Sequence, residues 1–304
     1  MADMKKHKLG WIGIGRMGYA MAERLAQAGC DISVWNRTRS KAEPLAASGA
    51  KVVDSLTDLP DCDIVFIMVS TGKDVKEVLF GANGVMSKGK APQIVVDSTS
   101  ISLEESAEIR ETLSSKGVKL LAAPVSGNAQ VIKAGKLTVV ASGPQDAFDA
   151  VSPYLAAIGQ GVSYVGDGEL ARIAKICHNV MLGVVIQNLC EITVLAEKAG
   201  MQHHAFLDFH VTFTPKLLRK DLDLGLNAGK TYGVPMPLTS LTRDIVPTLI
   251  GHGYTDQDFA TLLLLQAKAS GIELQPENVE IGDGLSAESG SMNDGRSTVS
   301  LRNR

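Results

Sequence analysis

The stretch Leu9-Gly-Trp-Ile-Gly-Ile-Gly-Arg-Met-Gly18 sets Gly13, Gly15 and Gly18 in G-x-G-x-x-G spacing, after an apolar strand-like run and at the head of a helical pattern. Glycines so spaced have three separate jobs: a tight turn, close approach of main chain to a pyrophosphate, and close packing of helix on strand. The helix start then offers its unpaired N–H groups to the phosphates. A glycine-rich segment alone would be only a turn. The strand, turn and helix context makes Gly13, Ile14, Gly15, Arg16, Met17 and Gly18 a dinucleotide-binding loop.

Outward from this loop, short β-branched runs alternate with helical patterns, at Ile32 to Trp35, Ile64 to Val69, Ile94 to Asp97 and Val118 to Ala123. Such alternation predicts an α/β domain with a doubly wound parallel sheet. The run Ile64 to Val69 is apolar on both faces, as a strand covered from both sides requires. The helix after the first strand carries Met17, Met21, Leu25 and Ala28 at helical spacing and stops at Gly29. Strands at Leu137 to Ala141 and Val162 to Val165 flank a helix from Asp146 to Ala157. After Gly166 the period changes, and Glu169 to Lys198 reads as one helix closed by Gly200. At about 1.5 Å per residue it would leave the first domain and run through a second. Helices follow at Pro215 to Thr231, Pro237 to Ile250 and Gln257 to Ala269. The predicted organisation is an α/β domain over 1–166 and an all-α domain over 167–282, joined by the long interdomain helix. A Gly- and Ser-rich tail over 283–304 is expected to be disordered.

The 304 residues are 45% hydrophobic and 21% charged, which describes a globular chain. Lys plus Arg number 30 against 33 for Asp plus Glu, so a net charge of −3 leaves no basic field for nucleic acid and no polybasic membrane anchor. Four cysteines without a C-x-x-C pair fit a reduced, cytoplasmic setting, and the polar start shows no leader. The least polar stretch, Ile176 to Cys190, is broken by His178, Asn179, Gln187 and Asn188, as in a buried helix rather than a membrane span. His203, His204 and His210 have no acidic or cysteine ligand at convincing spacing, so no metal is expected. No Ser-His-Asp arrangement has local support.

An acidic residue at the end of the second strand would bind the adenosine ribose diol and repel a 2′-phosphate. This chain has Asn36-Arg37-Thr38-Arg39-Ser40-Lys41 there. Asn36 can bond a ribose oxygen, Arg37 can stack on adenine or pair with phosphate, and Thr38 adds a hydroxyl. With Arg39 and Lys41 they predict NADP(H) in preference to NAD(H); the bland alternative is an exposed, charged helix start. Between Ile173 and Cys190 the only formally charged residue is Lys175. A lone ammonium on an apolar helix is costly to bury unless it has partners or opens onto a cleft, which makes it a functional candidate, although it could also snorkel to a domain surface. Asn179 and Gly183, at i+4 and i+8, complete a stripe with a proton donor, an amide and a gap for a ligand.

Read together, Gly13-x-Gly15-x-x-Gly18, Ala123-Pro-Val-Ser-Gly127, Gly135-x-Leu137, Gly166-x-Gly168, Lys175-x-x-x-Asn179, and Phe213 with Lys220-Asp221-Leu222 resemble the β-hydroxyacid dehydrogenases. That family includes 3-hydroxyisobutyrate dehydrogenase and tartronate semialdehyde reductase. The resemblance runs from Leu9 to about Gly271 and implies a Rossmann-type first domain followed by an all-α domain. It makes Lys175 the catalytic acid/base and assigns Ser126, Gly127 and Asn179 to a small carboxylate substrate. It sets Ser100 and Lys220 beside the nicotinamide, with Val69, Ser70 and Phe213 as further cofactor contacts, and it implies a homodimer or homotetramer. Ala122 stands where the family usually has an acidic residue, and Asn128 where it has a second glycine. The interval from Lys175 to Lys220 is shorter than the family pattern, with the loss expected near 208–213. An imine reductase on the same scaffold, or a non-catalytic NADP-binding or chromatin-associated module, are the alternatives. Lys175 favours alcohol and aldehyde chemistry over imines.

Overall fold

A computed structural model describes Met4 and residues 6–59, 61–198 and 213–274. The expected tail over 283–304, the expected loss near 208–212 and the three histidines above lie outside the described residues. Strand β1 (Lys8–Ile12) leads through the glycine loop into α1 (Arg16–Gln27), and β2 (Asp31–Trp35) and the short β3 (Lys51–Val52) follow. Next come β4 (Ile64–Ile67), α2 (Gly72–Phe80), β5 (Ile94–Asp97), α3 (Leu103–Ser114) and β6 (Lys119–Ala122). All these strands pair in parallel in the order β3-β2-β1-β4-β5-β6, so the chain reverses its direction of travel across the sheet between β1 and β4. The crevice at such a reversal is where α/β sheets bind ligands.

Alternation along β4 shows why the strands read as continuous apolar runs. Ile64 and Phe66 enter one buried cluster with Leu9, Trp11, Met21 and Leu25, whereas Val65 and Ile67 enter the other with Ile12, Val75, Leu79 and Ile109. Both faces are covered, so neither can be polar.

A second, three-stranded sheet holds β7 (Val125–Ser126), β8 (Thr138–Ala141) and β9 (Gly161–Tyr164), with α4 (Ala129–Lys133) and α5 (Gln145–Ile158) between them. The sequence reading missed β3, β7 and α4. Two-residue strands carry no periodicity, and β7 exists only because Val125 and Ser126 pair antiparallel with Val139 and Thr138. Asn128 caps α4 by accepting from the Val131 N–H at 3.0 Å, a use for the residue that departs from the family pattern.

The remainder is helical: α6 (Leu170–Lys198), α7 (Pro215–Tyr232), α8 (Pro237–Gly251) and α9 (Leu262–Ala269). The last begins later than Gln257 because the Asp258 carboxylate is spent on the Phe213 and Ala260 N–H groups, at 3.1 and 3.0 Å, and a short 3-10 turn intervenes. Among the described residues α6 contains the one segment, Leu170–Leu189, long and apolar enough to cross a membrane. That segment carries Arg172 and Lys175, and its helix packs on α7, α8 and α9.

Gly183 corrects one expectation. The gap it was expected to leave for a ligand is filled by α7, since a Cβ there would stand 3.0 Å from Leu218 Cδ1 and 3.1 Å from Leu222 Cδ2. Gly225 answers it on α7, where a Cβ would lie 2.3 Å from Val180 Cγ2. The two glycines let α6 and α7 approach closely and bring Lys175 and Lys220 together. Gly225→Ala should therefore destabilise the protein by about 1–3 kcal/mol, outweighing the roughly 1 kcal/mol that alanine contributes to a helix. A chemical-denaturation midpoint equal to that of the parent would show that the helices part freely.

Candidate active site

The three glycines divide their work as the motif requires. Gly13 has φ +98° and a Cβ there would lie 2.1 Å from the Met68 carbonyl oxygen; a Cβ on Gly18 would lie 2.0 Å from that of Gly13. Around Gly15, which caps α1, a Cβ would meet nothing within 4 Å, so the middle glycine faces open space at the helix start. No acidic residue occupies the first turn of α1. An anion can thus approach both main chain and helix dipole there, and a dinucleotide pyrophosphate fits.

Asn36 is more committed than its sequence position suggested. Its Oδ1 accepts from the Ile14 N–H at 2.9 Å and its Nδ2 donates to the Thr38 carbonyl at 2.9 Å, so it shapes the loop that a ribose would touch. Arg39 is turned aside by Asp54 at 2.5 Å and Glu43 at 3.5 Å. Of the expected cationic cluster, Arg37 and Lys41 line the cleft, together with Thr38.

That cleft, of about 760 Å³, runs from the glycine loop past Val69, Ser70 and Ser100 to Gly127, Lys175, Asn179, Phe213 and Lys220. It gathers every residue expected to hold cofactor or substrate except Ser126 and Arg39. Val125 and Gly127 line it, but strand alternation turns the serine between them the other way. Its hydroxyl meets His178 Nε2 at 3.1 Å.

A polar cluster at the far end of the cleft is assembled by α6 and α7. Lys175 is partly buried, and burial pulls its ammonium below the usual lysine range; Asp221 opposes this and Lys220 adds to it. Asp221 itself is buried, and loss of solvent raises its carboxyl above the usual range, against the pull of Lys220, Asn179 and Lys175. Asn179 Nδ2 donates to Asp221 Oδ2 at 2.7 Å, and Lys220 Nζ donates to the Ser100 carbonyl at 3.2 Å. With its amide nitrogen turned to Asp221, Asn179 presents Oδ1 to His178 Nδ1 at 3.0 Å, which makes Nδ1 the donor. The Ser126 hydroxyl then donates to Nε2. This directed chain joins four residues separated by as many as 95 positions, and sequence reasoning gave roles to only Ser126 and Asn179.

A family model described as the NAD binding domain of 6-phosphogluconate dehydrogenase matches residues 8–166, more than half the chain. The chain belongs to that family. Among its relatives, 2-(hydroxymethyl)glutarate dehydrogenase of Eubacterium barkeri is 27% identical, over 89% of this chain and 98% of its own length. The 2-hydroxy-3-oxopropionate reductase of Escherichia coli K12 is 29% identical, over 84% and 96% respectively. The solved structure of Mycobacterium tuberculosis 3-hydroxyisobutyrate dehydrogenase with L-serine superposes with a TM-score of 0.76 at 25% identity, covering 85% of this chain and 98% of that one. The resemblance to β-hydroxyacid dehydrogenases therefore holds over nearly the whole chain, and the protein is a nicotinamide-dependent oxidoreductase of that group.

A buried cation sits a turn before Lys175. Arg172, 2% exposed, donates from Nη2 to Asp97 Oδ2 at 2.7 Å, from Nη1 to the Thr99 carbonyl at 2.8 Å and from Nε to Ser106 Oγ at 2.5 Å. Thr99 in turn accepts from the Val69 N–H at 3.2 Å. One buried guanidinium thus ties the start of α6 to the end of β5 and the cofactor-side loops. Removing one partner of such a pair leaves the other charge buried and alone. Arg172→Met should lower stability by about 3–5 kcal/mol, read from the urea midpoint; a loss under about 1 kcal/mol would mean that the guanidinium is dispensable.

Proposed function

We propose that the protein interconverts a small β-hydroxyacid, such as 3-hydroxyisobutyrate or a close analogue, and its semialdehyde, with NADP(H) preferred to NAD(H). The observation that carries this reading is a buried lysine opening onto the cleft that begins at the glycine loop, with its proton affinity lowered by its surroundings.

A bound nicotinamide would supply the hydride acceptor or donor. The glycine loop would hold its pyrophosphate, Arg37, Thr38 and Lys41 an adenosine 2′-phosphate, and Lys220, anchored on the Ser100 carbonyl, one edge of the ring pocket. In oxidation Lys175, as the neutral amine, takes the hydroxyl proton of the substrate. In reduction the ammonium returns a proton to the carbonyl oxygen and stabilises charge growing there. The Gly127 N–H and the second amide hydrogen of Asn179, free of Asp221, suit a carboxylate. Ser126 joins them only by giving up its bond to His178.

Exposed apolar residues support self-association as a homodimer or homotetramer. Met181 and Val185 on α6 and Leu238 and Leu241 on α8 are each more than half exposed. The setting we propose is the cytoplasm, where Cys30 and Cys62, free thiols pushed up to about 11 by burial, would stay reduced.

Lys175→Ala should cut turnover by about 10²–10⁴-fold, the usual contribution of a positioned acid/base, with NADP(H) affinity preserved; turnover within threefold of the parent would remove Lys175 from the mechanism. In the parent, alcohol oxidation should fall with acidification through an apparent pKa below the roughly 10.4 of a solvated lysine, because the base must be neutral. A limb at or above 10.4 would contradict a buried amine. A panel of hydroxyacids, semialdehydes and imines, run with both cofactors, checks the rest. Higher kcat/KM with NAD+ would reverse the cofactor preference, and faster imine reduction would replace the substrate class.

A further inference from the structure

We propose that Asp221 is the positioning residue of the reacting centre: its buried carboxylate holds Lys175 as the ammonium between turnovers and fixes the orientation of the Asn179 amide. This rests on the reading of Lys175 as the acid/base.

Asp221 lies inside α7, far from either helix end, and is 3% exposed. A carboxylate removed from water to that extent is costly unless cations and donors surround it. One oxygen, Oδ2, is taken by Asn179 at 2.7 Å. The other, Oδ1, has no hydrogen-bond partner and stands 3.5 Å from Lys220 Nζ. Asp221, Lys175, Asn179 and Arg172 also line one small chamber beneath the cleft, closed by Ile101, Ile176 and Leu224. Oδ1 is thus ion-paired with Lys220, while Lys175 lines the same chamber as Asp221.

The charged and titratable groups around it are Arg172 and Lys175 on α6, which line the chamber, Lys220 on α7, its ion-pair partner, and His178, one hydrogen bond away through Asn179; the loop after β5, Thr99 to Ile101, and Pro124 bring none. Lys220 close to Lys175 repels its ammonium and favours loss of the Lys175 proton. Asp221 is the one anion lining this chamber, and it offsets that repulsion. A carboxylate can only accept, so it also selects which face of the Asn179 amide points where. The donor direction at His178 and Ser126 follows from that choice.

Asp221→Asn keeps the shape and removes the charge. With NADP+ bound, the pH dependence of Lys175 acylation by acetic anhydride, resolved by peptide mass spectrometry, reads the lysine directly. The midpoint should move at least one unit lower than in the parent, as expected when an opposite charge nearby is lost. The acid limb of alcohol oxidation and the alkaline limb of carbonyl reduction should both move down with it, with KM for NADP(H) within about twofold. A uniform fall in kcat with an unmoved midpoint is the mark of a merely structural role and would overturn the proposal. Should that variant not fold, Asp221→Glu decides. The charge is kept and the amide register is disturbed, so the midpoint should stay while the rate drops; a displaced midpoint overturns the proposal. A shifted midpoint in Asp221→Asn, with no turnover of any hydroxyacid, semialdehyde or imine by the parent, would discard the proposed reaction and uphold the role of Asp221 toward Lys175.

Discussion

A guanidinium buried at the first turn of α6 ties the two halves of the site together. Arg172 fills its donor positions with groups from β5, from the loop after it and from α3, and Lys175 stands three residues further along the same helix. A helix has little freedom within one turn, so anchoring Arg172 on Asp97 also sets where Lys175 emerges. Thr99 accepts from the Val69 N–H, which extends the same constraint to the strand end that borders the cofactor cleft. Lys175 and the end of β4 beside the cleft are thereby held by one hydrogen-bonded hub.

The second constraint is the close contact of α6 with α7. Glycines at 183 and 225 remove the side chains that would hold the helices apart, and Leu218, Leu222 and Val180 occupy the space. Close approach brings cations and a carboxylate from two helices into a partly dry site. Burial and Lys220 there pull the Lys175 ammonium below the usual lysine range, against the opposing pull of Asp221. The polar chain from Ser126 through His178 and Asn179 to Asp221 lies across this contact, with each donor directed away from β7 and toward Asp221. Ser126 is consequently held away from the cleft that the residues on either side of it line.

Much of this molecule was legible in the order of its residues. The nucleotide loop is local: strand, turn and helix are contiguous, Gly13 and Gly18 answer steric demands made by the adjacent strand end and by the loop itself, and Gly15 leaves the helix start open. The parallel sheet was legible because every strand with both faces covered must be apolar throughout, and the long helix because its period persists for many turns. Lys175 and Asn179 stood out because a helix places i and i+4 on one face, whatever surrounds them.

Tertiary structure decided the rest, for reasons of distance along the chain. The sequence could not show that Ser126 meets His178, that Gly183 receives leucines instead of a ligand, or that Arg39 is drawn off by Asp54. Nor could it give Asp221 or Arg172 a role, since a charged residue on an amphipathic helix looks the same whether it faces water or a buried partner. Composition and periodicity determine which elements form and which face is apolar; they are properties of neighbours. Which buried charge meets which depends on how the helices cross and how the strands register, and these are settled only when side chains many residues apart compete for the same dry space.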